Sequence, residues 1–278
     1  MSEPEWLIRN RANWDERVPI HLASRAMYDQ SRLRAGTARL RPIEMAVLGP
    51  VEGQKILHLQ CHSGMDTLTL AQNGALATGV DFSAPAIAAA DSLAHELGLQ
   101  NQTRFVVSDV YQAPSMTALT PASFDRVFVS WGALCWLPDM AGWAKVVAHF
   151  LKPGGWLALA EAHPAAYVFD SRTKTQDGMP GWFAPYLGRE PMIEDREDDY
   201  ADASARLKAT RTHEWLHPLS DILMGLVNAG LRIDQFHEHD VIPWPMFDCL
   251  QPTGDALYRW PGKPWLPLAF SLRATKPA

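Results

Sequence analysis

Residues 55–81 run KILHLQCHSGMDTLTLAQNGALATGVD, and their order suits a nucleotide-like ligand. An apolar run, a tight turn, a helix-compatible run and a second apolar run end on the carboxylate of Asp81, with Phe82 beside it. Backbone N–H groups at the helix start can hold an anion, and Asp81 can accept two hydrogen bonds from ribose hydroxyls. Ser108-Asp109-Val110 repeats this logic one unit later: the acid accepts from an adenine amino group and the next backbone N–H donates to the ring. Two acids in register at consecutive strand ends say far more than either alone. Gly64 lets the backbone approach the ligand closely. Asp66 and Thr67 fall in the helix's first turn, where they cap it or meet an ammonium group. Gln60 and His62 stand where such turns usually carry glycine, so the turn is expected to be wider, with Gln60 bonding a ligand's carboxylate or amino group. His58, Cys61 and His62 suit zinc by type, but His58 lies mid-strand and no fourth ligand accompanies them.

These residues need a scaffold, and the surrounding pattern supplies one. Apolar strands are expected at 56–60, 77–80, 105–107, 127–129 and 156–160, alternating with helices. Ser83 caps a helix with Pro85 in its first turn. Trp143, Val146, Val147, Phe150 and Leu151 recur at helical spacing and bury one face. Lys152-Pro153-Gly154-Gly155 stops that helix. Such alternation implies a parallel sheet with helices on both faces, which binds ligands beyond the carboxyl ends of its strands. Leu223, Leu226 and Val227 line a later helix, and 231–239 and 268–274 are expected to close the sheet. The chain divides into a helical lid at 1–50, a core at 51–163, an insertion at 164–212 and a return to the sheet at 213–278.

Bulk properties narrow the function. The chain has 278 residues, is 47% hydrophobic and carries a net charge of −6. That balance argues against a nucleic-acid binder working through phosphates. The acidic run from Glu190 to Asp202 is expected to be solvated surface. Three distant cysteines suggest a reducing compartment. The first residues lack the apolar stretch of a secretory signal, so none is expected, and no apolar run nears the ~18 residues of a membrane span. The expectation is a soluble cytoplasmic protein without membrane or nucleic-acid partners. Nothing in the sequence sets an oligomeric state.

The ordered set of turn with Gly64, Asp81, Ser108-Asp109, Phe124-Asp125-Arg126-Val127 and Leu151-Lys152-Pro153-Gly154-Gly155 resembles class I, Rossmann-like S-adenosylmethionine-dependent methyltransferases of the small-molecule type. The resemblance implies an α/β fold with a doubly wound seven-stranded sheet, mostly parallel, its last strand inserted antiparallel. It implies S-adenosyl-L-methionine as cofactor and S-adenosyl-L-homocysteine as product. Asp81 would bind the ribose, Asp109 and Val110 the adenine, and the 58–64 turn the methionine end. Ser130, Trp131 and the loop to Trp136 would line the methyl-donor site. The family's acid-x-Gly-x-Gly-x-Gly turn is here His58-Leu59-Gln60-Cys61-His62-Ser63-Gly64.

Methyl transfer from a sulfonium is an in-line displacement helped by alignment and desolvation. A base is needed only if the nucleophile carries a proton, and Glu161 and His163 after strand five are the candidates. Tyr28, Trp136, His163 and His213 are candidates for touching the acceptor, a small molecule methylated at N, O or C. Eleven tryptophans suit an aromatic one. A non-catalytic binder of the same cofactor and a nicotinamide-dependent oxidoreductase are the alternatives. The latter needs Gly-x-Gly-x-x-Gly, which the chain lacks.

Overall fold

The computed structural model describes residues 3–25, 27–254 and 256–278. Seven strands form the main sheet. They are β1 (Lys55–Leu59), β2 (Leu76–Asp81), β3 (Thr103–Val107), β4 (Phe124–Ser130), β5 (Leu151–Ala162), β6 (Arg232–His239) and β7 (Ala269–Thr275). Their order is β6-β7-β5-β4-β1-β2-β3. Pairs among β1–β5 are parallel, and β7 runs antiparallel to both β5 and β6. The α/β class and the antiparallel last strand are therefore as expected. Strand order reverses between β1 and β4, which puts the crevice beyond their carboxyl ends.

The helices are α1 (Glu5–Ala23), α2 (Ser31–Arg34), α3 (Pro42–Leu48), α4 (Met65–Gln72), α5 (Ala84–Glu96), α6 (Met140–Phe150) and α7 (Leu219–Asn228). Strand alternation divides the core between two layers. Leu57, Leu59, Val127, Val129, Leu157 and Leu159 face the layer with α6 and α7. Ile56, Phe128 and Ala158 face the other, with Val47, Leu68, Leu93 and their neighbours from α3, α4 and α5. On α6 the predicted stripe is buried, with Trp143, Val147 and Phe150 fully enclosed. Asp139 caps it by accepting from Gly142 N at 2.9 Å. Ser83 caps α5 through Ala86 N.

Two excursions leave from one end of the sheet, because Ala162 of β5, Ala269 of β7 and His239 of β6 lie in register there. After β5 the chain forms a hairpin pairing Met192–Asp195 with Arg211–Glu214. Between β6 and β7 it forms a small three-stranded sheet over Phe247, Trp260 and Leu268. Helix α1 fastens to the outer edge of the hairpin through side chains that behave like a strand. Asn10 donates to His213 O and accepts from His213 N, both at 2.8 Å. Asn13 donates to Ala209 O, and Glu16 accepts from the N–H groups of Lys208 and Ala209. Among the described residues no helix is long and apolar enough to cross a membrane.

Candidate functional site

The turn after β1 keeps the backbone of a glycine turn without the glycines. Gln60, His62 and Gly64 all have positive φ, at 58°, 49° and 72°. For Gln60 and His62 this left-handed region costs about 1 kcal/mol each. Positive φ thus alternates through the turn at these three positions. Gly64 is required for a different reason from the expected one. A Cβ there would lie 2.7 Å from Ala90 Cβ and 2.7 Å from Phe105 Cε1. Its bare backbone thus serves the packing of the turn against α5 and β3.

Side chains then tie this turn to its surroundings. Gln60 Nε2 donates to Ala133 O at 2.7 Å, while its Oε1 is buried without a partner. His62 Nε2 lies 2.7 Å from His21 Nδ1, and His21 Nε2 lies 3.2 Å from Asp199 Oδ2. Arg17 donates to the same Asp199 oxygen at 2.7 Å. Thr67 is fully buried and bonds His58 Nδ1 at 2.9 Å, so it sits beneath the turn rather than at the cleft. Burial pushes His58 down to about 3, which keeps it neutral.

Asp81 ends β2 and accepts from His62 N at 2.8 Å and Ser83 N at 2.9 Å, one bond per carboxylate oxygen. Each oxygen retains a lone pair for a ligand. Phe82, half-buried, is the next residue. Burial pushes Asp81 up to about 6, against the pull of the Ser83, His62 and Phe82 N–H groups. After β3, Asp109 Oδ1 caps the next turn through Tyr111 N and Gln112 N. Its Oδ2 makes no bond among the described residues. Ser108 turns its hydroxyl onto Asp109 O, and Val110 is buried beside it.

After β4, Ser130 donates to Asp66 Oδ2 at 3.3 Å and Trp131 Nε1 donates to the buried Glu44 at 2.5 Å. Burial raises the carboxyls of both Asp66 and Glu44. The loop from Trp131 also bends through positive φ, at 46° for Trp131 and 75° for Gly132. Glu161 holds it: its carboxylate accepts from the N–H groups of Gly132, Ala133, Leu134 and Ala162 at 2.5–3.2 Å. Those bonds commit the carboxylate to positioning the loop. His163 Nδ1 accepts from Ala165 N, and its buried Nε2 lies 3.0 Å from Glu238 Oε1 without making a hydrogen bond.

Aromatic rings close the space above. Trp14 stands edge-on to His62 at 5.3 Å and to Trp136 at 5.2 Å. Tyr28 stacks on His21 at 4.4 Å and bonds the hydroxyl of Tyr200. Tyr28, Trp136 and His62 are therefore brought together, whereas His213 is not: its backbone is held by Asn10 and its Nδ1 is buried without a partner. The sequence reading missed His21, Asp199 and Glu214. A signal for the first existed, since Asn10, Asn13, Arg17 and His21 form a polar stripe at helical spacing and all are buried. Glu214 makes no side-chain bond among the described residues, and burial, then Glu194, push it up to about 7. Burial raises both Cys135 and Tyr167, and the charge of Glu214 adds to the rise in each.

Residues 56–155 match the family model described as a methyltransferase domain. The chain is 30% identical over 125 residues to a ubiquinone biosynthesis O-methyltransferase from Paracidovorax citrulli, covering 44% of this chain and 49% of that one. It is 34% identical over 118 residues to a demethylmenaquinone methyltransferase from Corynebacterium glutamicum, covering 42% and 46%. The chain thus spans about half the length of the relatives it matches. Among solved structures, an S-adenosylmethionine-dependent methyltransferase from Mesorhizobium loti aligns with TM-score 0.56 at 21% identity, covering 84% of this chain and 96% of that one. A geranyl diphosphate C-methyltransferase from Streptomyces coelicolor, solved with Mg2+, geranyl diphosphate and S-adenosyl-L-homocysteine, aligns with TM-score 0.58 at 12% identity over 99% and 100%. The core of the chain has the class I methyltransferase fold and carries its domain signature.

Proposed function

We propose that this chain, built on a class I methyltransferase domain, binds S-adenosylmethionine and transfers its methyl group to a small organic molecule. One observation carries the reading. Asp81 and Asp109, at the ends of adjacent strands, both keep acceptor capacity facing no protein donor, while the turn between them and β1 keeps its left-handed backbone. Asp81 suits the ribose hydroxyls, Asp109 Oδ2 the adenine amino group and Val110 N the ring. Gln60 Oε1, orphaned and buried, suits the methionine ammonium together with Asp66. The cofactor supplies an activated methyl on a sulfonium. The protein's part is to align the acceptor and keep water out.

Trp14, Tyr28 and Trp136, gathered around His62 from α1, the segment after it and the loop after β4, would wall the acceptor site. Such a cover suits a small, flat acceptor. The relatives named as a ubiquinone biosynthesis O-methyltransferase and a demethylmenaquinone methyltransferase are in keeping with that class. Calorimetry with S-adenosylhomocysteine tests the reading. Binding that weakens by about 1–3 kcal/mol in Asp81→Ala, the scale of a lost charged hydrogen-bond partner, is expected. Binding of NADH in place of S-adenosylhomocysteine overturns it.

A further inference from the structure

We propose that Glu214, with Tyr167 near it, forms a subsite that takes an O–H or N–H donor of a small molecule. The subsite borders the loop after β4, so on the methyltransferase reading above that molecule is the methyl acceptor. The enclosed acids of the chain differ in one respect. Asp66 accepts from Ser130, Asp81 from two N–H groups, Glu161 from four, and Asp199 from Arg17 and Ala201 N. Glu214 accepts nothing among the described residues. A carboxylate taken from water without a donor is costly, and the missing donor is one that a ligand can supply.

Strand register places the group. Glu214 pairs with Met192 across the hairpin, and paired residues share a face. Met192 packs there against Val168, Ala184 and Leu216, with Tyr167 in the same cluster. Trp215 N donates to Cys135 O at 2.7 Å, which ties the residue after Glu214 to the loop after β4. Cys135 precedes Trp136, whose ring meets Trp14. The subsite therefore lies between that loop, the segment after β5 and the hairpin. The Tyr167 hydroxyl also bonds nothing among the described residues. A carboxylate and a hydroxyl thus meet here without protein partners.

The charged and titratable surroundings favour a donor. Glu194 faces Glu214 from the paired strand, Cys135 from the loop, and Glu161 and Tyr167 from β5 and the segment after it. Arg17 of α1 and Arg172 and Arg196 of the excursion also reach it. Each already serves another carboxylate: Arg17 that of Asp199, Arg172 those of Asp170 and Glu194, Arg196 that of Asp198. None of the three is left to neutralise Glu214. A hydroxyl or an ammonium relieves its charge, and an anion would add to it.

Calorimetry with phenol, benzylamine and the donor-free anisole tests the subsite, with and without S-adenosylhomocysteine. Wild type is expected to bind phenol or benzylamine about tenfold or more tightly than anisole, the scale of one hydrogen bond to a charged group. Glu214→Leu should erase that preference. Glu214→Gln still accepts but carries no charge, so it keeps a preference for a hydroxyl and loses one for an ammonium. Equal binding of the three probes, binding of none, or a preference unchanged in Glu214→Leu overturns the proposal. Thermal unfolding needs no ligand. Glu214→Gln breaks no protein bond and removes a charge that burial opposes, so Tm is expected to rise by about 3 °C at pH 8. The folded pKa, about 7, lies above the ordinary carboxylate value, so the wild type's handicap is absent at low pH and develops as pH rises through about 7. The gain should therefore shrink at pH 5. A Tm that falls at pH 8 shows that Glu214 does structural work and overturns the proposal. A protein that binds no S-adenosylhomocysteine sinks the methyltransferase reading alone, because the probe preference and the Tm shift still report on Glu214.

Discussion

Two bent turns stand side by side at the carboxyl end of the sheet, each held by a buried carboxylate, and the two acids do different work. Asp81 holds the turn after β1 with one bond per oxygen, and each oxygen keeps a lone pair. Glu161 holds the turn after β4 with three N–H bonds, takes a fourth from Ala162 in β5, and keeps little capacity for anything else. Both carboxyls are raised by burial. A perturbed acid at a strand end is therefore not by itself a base. What separates ligand-binding from positioning is the number of protein donors already committed.

The sharpest way to break the contrast is Glu161→Ala. It strands three loop N–H groups in a buried place and is expected to cost about 4 kcal/mol in urea unfolding. A cost below about 1 kcal/mol would show that the loop is held by something else. Next comes Gly64→Ala. The added Cβ collides with Ala90 and Phe105 at 2.7 Å and keeps an unfavourable φ, so about 2–3 kcal/mol of stability is expected to go. Thermal unfolding measures it, and an unchanged Tm would mean the turn can shift.

Asp81 predicts a pH dependence of the opposite kind. Its folded pKa, about 6, lies above the ordinary carboxylate value, so the folded state holds the proton more tightly than the unfolded one. That favourable contribution is full at low pH and is lost as pH rises through about 6. Ribose hydroxyls donate to the ionised form, so S-adenosylhomocysteine affinity is expected to fall by up to about tenfold per pH unit below that pKa. Titration calorimetry at pH 5, 6 and 7 checks it, and Asp81→Asn should flatten the profile. The smallest effect belongs to Gln60→Gly. Relief of about 1 kcal/mol of left-handed strain opposes loss of the bond to Ala133 O, so stability should move by less than about 1 kcal/mol. A loss of 3 kcal/mol or more would make that link a main tie between the two turns.

The strands and α6 were legible because their signals are local: apolar runs bounded by turns, and one face at helical spacing. Asp81 and Asp109 were legible because sheet topology alone places strand ends at the crevice. Glu161 was visible as an acid after β5, but its partners are backbone N–H groups 27–29 residues away, and backbone donors leave no mark in sequence. The His62–His21–Asp199 chain joins residues up to 178 apart. Only the polar stripe on α1 hinted at it. Gln60 and His62 misled by type: glycine is the usual occupant of positive φ, not the necessary one, where surrounding bonds outweigh about 1 kcal/mol.

Asn10 exchanges two hydrogen bonds with His213 as a neighbouring strand residue would. The hairpin strand Arg211–Glu214 thus has β partners on one side and a helix's side chains on the other. An open strand edge is a template for unwanted pairing between molecules. Helix α1 therefore also guards solubility: a chain shorn of it would bare a row of unsatisfied N–H and C=O groups and be prone to stick to copies of itself.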